Sequence, residues 1–138
     1  MTSRPLNLLL VDDDAVDVMN VRRALKANGV VHPLHVAQGA QEALEMLRGG
    51  AVSRYRRLVL LDLNLPRMNG VEFLRVLRGD PELCCTAVVV LTTSDDERDR
   101  LDAYNLNVAG YILKPVSFQA FCDTVSTLIQ YWSLVELP

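Results

Sequence analysis

No apolar run in the sequence reaches the about eighteen residues of a membrane span, and the opening Met1-Thr2-Ser3-Arg4-Pro5 lacks the apolar stretch of a secretory signal. Charge of one sign is not in excess. Fourteen Lys and Arg face seventeen Asp and Glu, a net charge of −3, which gives no global electrostatic reason to bind nucleic acid or an anionic membrane. Glycine is sparse, at seven residues, which excludes a fibrous or low-complexity chain. Cysteine is sparser still: Cys84 and Cys85 are adjacent and Cys122 is remote, an odd count that suits neither a disulfide framework nor a CxxC metal site. Cys84 and Cys85 precede an apolar run and Cys122 lies in an amphipathic one, so all three read as buried or half-buried packing residues. His32 and His35 are too few to build a metal site and are given no role.

What is present is 138 residues, half of them apolar and 22% charged, with a mean hydropathy of +0.16. That is one domain able to bury a continuous core, too small for two enzyme domains and too apolar for disorder. The expectation is a single cytoplasmic domain.

Short apolar runs alternate with segments of helical period. Strands are expected at 6–11, 33–37, 57–61, 86–91 and 110–113. Between and after them, Val18, Val21 and Leu25 mark a first helix stopped by Gly29. Helices at 40–47, 71–77, 95–106 and 117–131 complete the pattern. Strands that are apolar throughout are buried on both faces, as in a parallel sheet covered by helices on each side. Five such units make a doubly wound α/β sheet of flavodoxin-like (βα)5 type, with strand order 2-1-3-4-5.

In such sheets the ligand site lies beyond the carboxyl ends of the strands, where strand order reverses, here between strands one and three. Strand one ends in Asp12-Asp13-Asp14 and strand three in Asp62, so carboxylates distant in sequence converge on one cleft. Crowded carboxylates need a cation, and oxygen-only ligands suit Mg²⁺, which commonly meets a phosphoryl group. Strand four ends at Thr92 and strand five at Lys114. A hydroxyl and a cation facing a metal-bound carboxylate are what a phosphorylated aspartate would need.

These residues, taken as Val11-Asp12-Asp13, Leu61-Asp62-Leu63-Asn64-Leu65-Pro66 with Met68-Asn69-Gly70, Leu91-Thr92-Thr93-Ser94 and Gly110-Tyr111-Ile112-Leu113-Lys114-Pro115, resemble the receiver domains of two-component response regulators across residues 6–131. The resemblance implies that Asp62 is the phosphoacceptor and that Asp13, Asp62 and the Asn64 carbonyl hold Mg²⁺, with Asp12 helping through water. It further implies that Thr92 and Lys114 contact the phosphoryl group, that Tyr111 is an aromatic switch moving inward as Thr92 swings, and that Asn64 and Ser94 tune hydrolysis. The Lys114–Pro115 bond is usually cis in that family. The partner so implied is a sensor histidine kinase, and the domain is a signalling acceptor rather than a turnover enzyme.

Residues 1–131 are thus expected to form the receiver and 132–138 a short apolar tail with no output domain, so that signals leave through protein contacts. The tail carries Trp132 and Leu134, which would either bury against a second subunit or fold back on their own domain. Tyr104 and Leu106 add apolar candidates for a homodimer through helix four, strand five and helix five. The tail, with Thr92-Thr93-Ser94 and its acidic sequel, resembles the small response regulators that partner bacterial and cyanobacterial phytochromes. Three rivals are weaker. A haloacid dehalogenase-type phosphatase needs Asp-x-Asp where Asp62-Leu63-Asn64 stands. A flavodoxin-like cofactor binder needs a Gly, Ser or Thr loop where Asp12-Asp13-Asp14 would repel phosphate. An unphosphorylated scaffold would have lost an acid or the lysine.

Overall fold

A computed structural model describes residues 4–27 and 31–138, so the expected stop at Gly29 lies outside the described residues. The elements run β1 (Asn7–Val11), α1 (Ala15–Lys26), β2 (Leu34–Ala37), α2 (Ala40–Arg48), β3 (Arg57–Leu61), α3 (Gly70–Gly79), β4 (Ala87–Thr92), α4 (Glu97–Asn105), β5 (Gly110–Leu113) and α5 (Phe118–Leu134). All strands pair in parallel in the order β2-β1-β3-β4-β5, the expected doubly wound sheet.

Side chains alternate across the sheet and build two cores. Leu9, Val11, Val59, Leu61, Val88 and Val90 meet α2 and α3 through Leu44, Leu47, Phe73 and Leu74. Leu8, Leu10, Leu58, Leu60, Val89 and Leu91 meet α1 and α5 through Val21, Phe121, Val125 and Ile129. The middle strands are therefore apolar between their ends, and polar residues such as Asn7, Arg57 and Thr92 stand only at the first or last position. Asp14, Asn69, Asp96 and Ser117 cap α1, α3, α4 and α5 by accepting backbone N–H bonds in the first turn.

Two expectations change. Helix α5 does not stop at Tyr131 but continues to Leu134, and Trp132 is buried at 9% exposure, edge-on to Tyr131 at 5.5 Å between ring centroids. Val125, Leu128, Ile129 and Trp132 form one uninterrupted helical stripe, so the indole completes the α1–α5 core, and Val135 and Leu137 pack against it. Trp132 thus folds back on its own domain, whereas Leu134 is 75% exposed. Cys84 and Cys85 are also exposed rather than buried, and only Cys122 is half-buried. They sit in the 81–85 turn, where Leu83 takes the single inward position.

At the end of the sheet where strands begin, arginines satisfy helix-end carbonyls. Arg56, 4% exposed and at φ 50°, donates to the carbonyls of Pro5, Ser133 and Val135 at 3.0–3.3 Å, binding the exit of α5 to the entry of β1. Arg57 donates to the carbonyls of Leu47 in the last turn of α2 and of Val52 beyond it. Arg78 donates to four carbonyls, of Leu106 and Asn107 after α4 and of Cys84 and Thr86 before β4. A planar guanidinium can serve such a set, whereas a lysine ammonium has fewer donors and the wrong geometry. Arg78→Lys is therefore expected to cost about 2 kcal/mol, nearly as much as Arg78→Ala, because the part-buried Leu106 and Thr86 carbonyls lose a charged donor. Urea unfolding of the three proteins side by side checks this, and a lysine variant as stable as the parent would refute it.

Candidate functional site

The register places the acids. Val11 of β1 lies opposite Leu61 of β3, and the N–H of Asp62 donates to the Val11 carbonyl at 3.0 Å, so Asp12 and Asp62 leave neighbouring strands side by side. Strand β4 delivers Thr92, and the N–H of Lys114, just past β5, donates to the Thr92 carbonyl at 2.8 Å. Thus the structure brings Asp12, Asp13, Asp62, Thr92 and Lys114 together at the carboxyl edge of the sheet.

Asp62 is 5% exposed and its two oxygens have separate partners. Oδ1 accepts from the Thr92 hydroxyl at 2.8 Å and from the Asn64 N–H at 3.0 Å. Oδ2 accepts from Lys114 Nζ at 2.9 Å. The Lys114 side chain is only 5% exposed and also donates to Asp12 Oδ2 at 2.9 Å and to Asp17 Oδ2 at 2.6 Å. Burial alone would lower its pKa, but the bonds to Asp17, Asp12 and Asp62 outweigh that and hold it well above the usual lysine range. Asp12 is pushed up to about 6, chiefly by burial, against the opposing pull of the Asp14 N–H and of Lys114.

Asp12, Asp13 and Asp62 each offer an oxygen within 4.8 Å of the others. An all-oxygen, doubly buried set with one member open to solvent fits a hard divalent cation that keeps several waters. Asp17 was not among the residues expected from the sequence. It sits in the first turn of α1, where an acid reads as a helix-dipole partner, and nothing local announces a lysine reaching it from β5.

The remaining expected residues lie around this core. Asn64 is exposed, and its amide donates to Thr93 Oγ1 at 3.0 Å. Ser94 turns toward α4: its hydroxyl donates to Asp99 Oδ2 at 2.7 Å, and its carbonyl accepts from the Tyr111 hydroxyl at 2.7 Å. In this state the Thr92 hydroxyl is on Asp62 Oδ1, and Tyr111 is half-buried. The Lys114–Pro115 bond is trans, since no cis peptide occurs among the described residues. Of the apolar interface candidates, Tyr104 and Leu134 are exposed at 49% and 75%. Leu106 is half-buried against the α3 core and Trp132 is buried.

The sequence matches the model of the response regulator receiver domain over residues 8–126. The chain belongs to that family. Among curated relatives of this receiver, the response regulator Rcp1 of Synechocystis is 34% identical over 138 residues, spanning 97% of this chain and 94% of that protein. A probable methanogenesis regulatory protein, FilR2 of Methanothrix harundinacea, is 37% identical over 131 residues, spanning 93% of this chain and 84% of that protein. The solved structure of the phosphorylated cyanobacterial phytochrome response regulator RcpA superposes with a TM-score of 0.88 at 34% identity, covering 98% of this chain and 99% of that one. The Mn²⁺-bound form of Rcp1 superposes at 0.86 with the same identity, covering 97% and 99%. The receiver is thus related to phytochrome response regulators, and no helix among its described residues is long and apolar enough to cross a membrane.

Proposed function

We propose that this receiver takes a phosphoryl group onto Asp62 from the phosphohistidine of a sensor histidine kinase, in a Mg²⁺-dependent reaction. The observation that carries the reading is the division of labour at Asp62, whose two oxygens are held separately by Thr92 and Lys114 beside two further carboxylates. A cation held by Asp12, Asp13 and Asp62, with the Asn64 carbonyl, would neutralise charge on the transferring group.

One Asp62 oxygen attacks phosphorus, a P–O bond forms, and the P–N bond breaks with its electrons leaving on the kinase imidazole. Lys114 follows the developing oxyanions from its seat on Asp62, and Thr92 donates its hydroxyl to the same group. The phosphoryl group carries about −1.5 to −2 where the carboxylate carried −1, and this added charge biases the path that already links the site to its surface. That path runs from Asp62 through Thr92 to Ser94, and from Ser94 to Tyr111 of β5 and Asp99 of α4. Output then passes through α4, β5 and α5. The exposed Leu113, Val116, Phe118, Tyr131 and Leu134 favour a second copy of the chain as one partner there. The likeness to RcpA and Rcp1 points to a phytochrome-type kinase upstream.

Intact-mass analysis with acetyl phosphate and Mg²⁺ tests the chemistry. A phosphate adduct is expected on the parent, absent without Mg²⁺ and absent from Asp62→Asn. Light scattering on the same samples reads the oligomer. A parent that stays unmodified by acetyl phosphate and by a phosphorylated phytochrome kinase would sink the reading.

A further inference from the structure

Lys114 has three N–H donors and spends each on a different carboxylate, Asp12, Asp17 and Asp62. Two of those acids have other work in the proposed reaction. Asp12 and Asp62 belong to the cluster that can hold a cation, and Asp62 becomes the phosphoryl ester. Asp17 is outside that cluster and makes the shortest of the three contacts, at 2.6 Å. Its backbone is fixed as well: the Asp14 carboxylate that caps α1 accepts from the N–H groups of Val16 and Asp17 at 2.8 and 3.3 Å. A carboxylate on a rigid helix start, 19% exposed in its side chain, therefore grips an ammonium that is almost sealed from water.

We propose that Asp17 is a positioning residue that tethers Lys114 over Asp62, so that the ammonium stays in place when a cation and a phosphoryl group draw on Asp12 and Asp62. This rests on Asp62 being the phosphoacceptor. An acid in a first helical turn could instead serve only the helix dipole, which would affect stability alone. The two roles part in what Lys114 does. A tether holds one ammonium geometry, and small misplacements of a reacting group are costly in rate.

The experiment compares the parent with Asp17→Asn and Asp17→Glu. The Lys114 ammonium is read by ¹⁵N NMR without cation or phosphoryl donor, and phosphorylation by acetyl phosphate with Mg²⁺ is timed. Expected is a protected Lys114 ammonium signal in the parent that is lost in Asp17→Asn. The initial phosphorylation rate should then fall about tenfold or more, with partial recovery in Asp17→Glu. The melting temperature of Asp17→Asn should not drop, since an anion leaves a crowded acidic site. An unchanged rate and an unchanged ammonium signal in Asp17→Asn, with the parent still phosphorylated, would overturn the tether alone. A parent that never takes up phosphate would overturn the phosphoacceptor reading and the tether with it.

Discussion

Lys114→Met is expected to lower stability by about 3–5 kcal/mol in Mg²⁺-free buffer at neutral pH, because it leaves Asp12, Asp17 and Asp62 facing one another with no counter-charge. Two independent interventions should return most of the loss. Millimolar Mg²⁺ supplies the missing cation, and Asp12→Asn removes one of the anions. Acid should help too. Asp12 already has a folded pKa of about 6, raised above its unfolded value, so the folded form holds more protons between pH 4 and 6 and gains stability as pH falls through that window. Losing Lys114 removes a group that holds the Asp12 pKa down, so the variant takes up more protons than the parent and its deficit should shrink between pH 7 and pH 5. Phosphorylation by acetyl phosphate should fall about 10²–10³-fold, as for the loss of one oxyanion donor. Denaturant unfolding across this grid of conditions is the check, and a deficit indifferent to Mg²⁺, to Asp12→Asn and to pH would mean the lysine serves only as packing.

Gly70→Ala should produce the second large effect, without touching a charged group. A Cβ at Gly70 would lie 2.7 Å from Leu63 Cα, 2.7 Å from Leu63 Cδ2 and 2.9 Å from the Asp62 carbonyl oxygen. Two of these are backbone atoms of the loop that leaves β3, and the Gly70 N–H already binds that loop through the Leu63 carbonyl at 3.0 Å. The loop must shift, and Asn64, whose N–H holds Asp62 Oδ1, shifts with it. The cost is expected to be about 3 kcal/mol, the upper part of the range for overpacking. At roughly 2–4 °C per kcal/mol this corresponds to a fall in melting temperature of about 10 °C. Phosphorylation should slow as well, since the acceptor oxygen loses its fixed donor. Gly79→Ala is the internal control. No atom lies within 4 Å of a Cβ there, so at the end of α3 it should be neutral or mildly stabilising. Equal thermal stability for the two alanine variants would refute the close-approach argument.

The parts of the fold that were legible in the sequence are those set by solvent contrast. Strands buried on both faces show as unbroken apolar runs, and the first polar residue beyond each run marks the sheet edge, which is how Asp12, Asp62, Thr92 and Lys114 could be gathered before any coordinates. Trp132 was equally legible in principle, because it continues the stripe of Val125, Leu128 and Ile129, but its place near the end of the chain invited reading it as a tail. Asp17 was not legible. Its role depends on Lys114, which reaches it from the other half of the chain. The carbonyl contacts of Arg56 and Arg78 were hidden for another reason: their acceptors are backbone atoms, which every residue carries, so no sequence pattern marks them. Cys84 and Cys85 were misplaced because the turn at 81–85 extends up to the start of β4, and only one of its residues, Leu83, can point inward.

The grip of Arg56 on Pro5, Ser133 and Val135, reinforced by the Arg4–Glu136 ion pair, has a bearing on how this domain can be wired to others. It gathers both extremities of the fold at the pole where the strands begin. The acidic cleft lies at the opposite pole, about 16 Å away along five residues of strand. Covalent attachment and chemical access are thereby kept on different hemispheres. A cargo joined near residue 4 or residue 136 would hang from the far side, leaving the approach to Asp62 clear for whatever docks there.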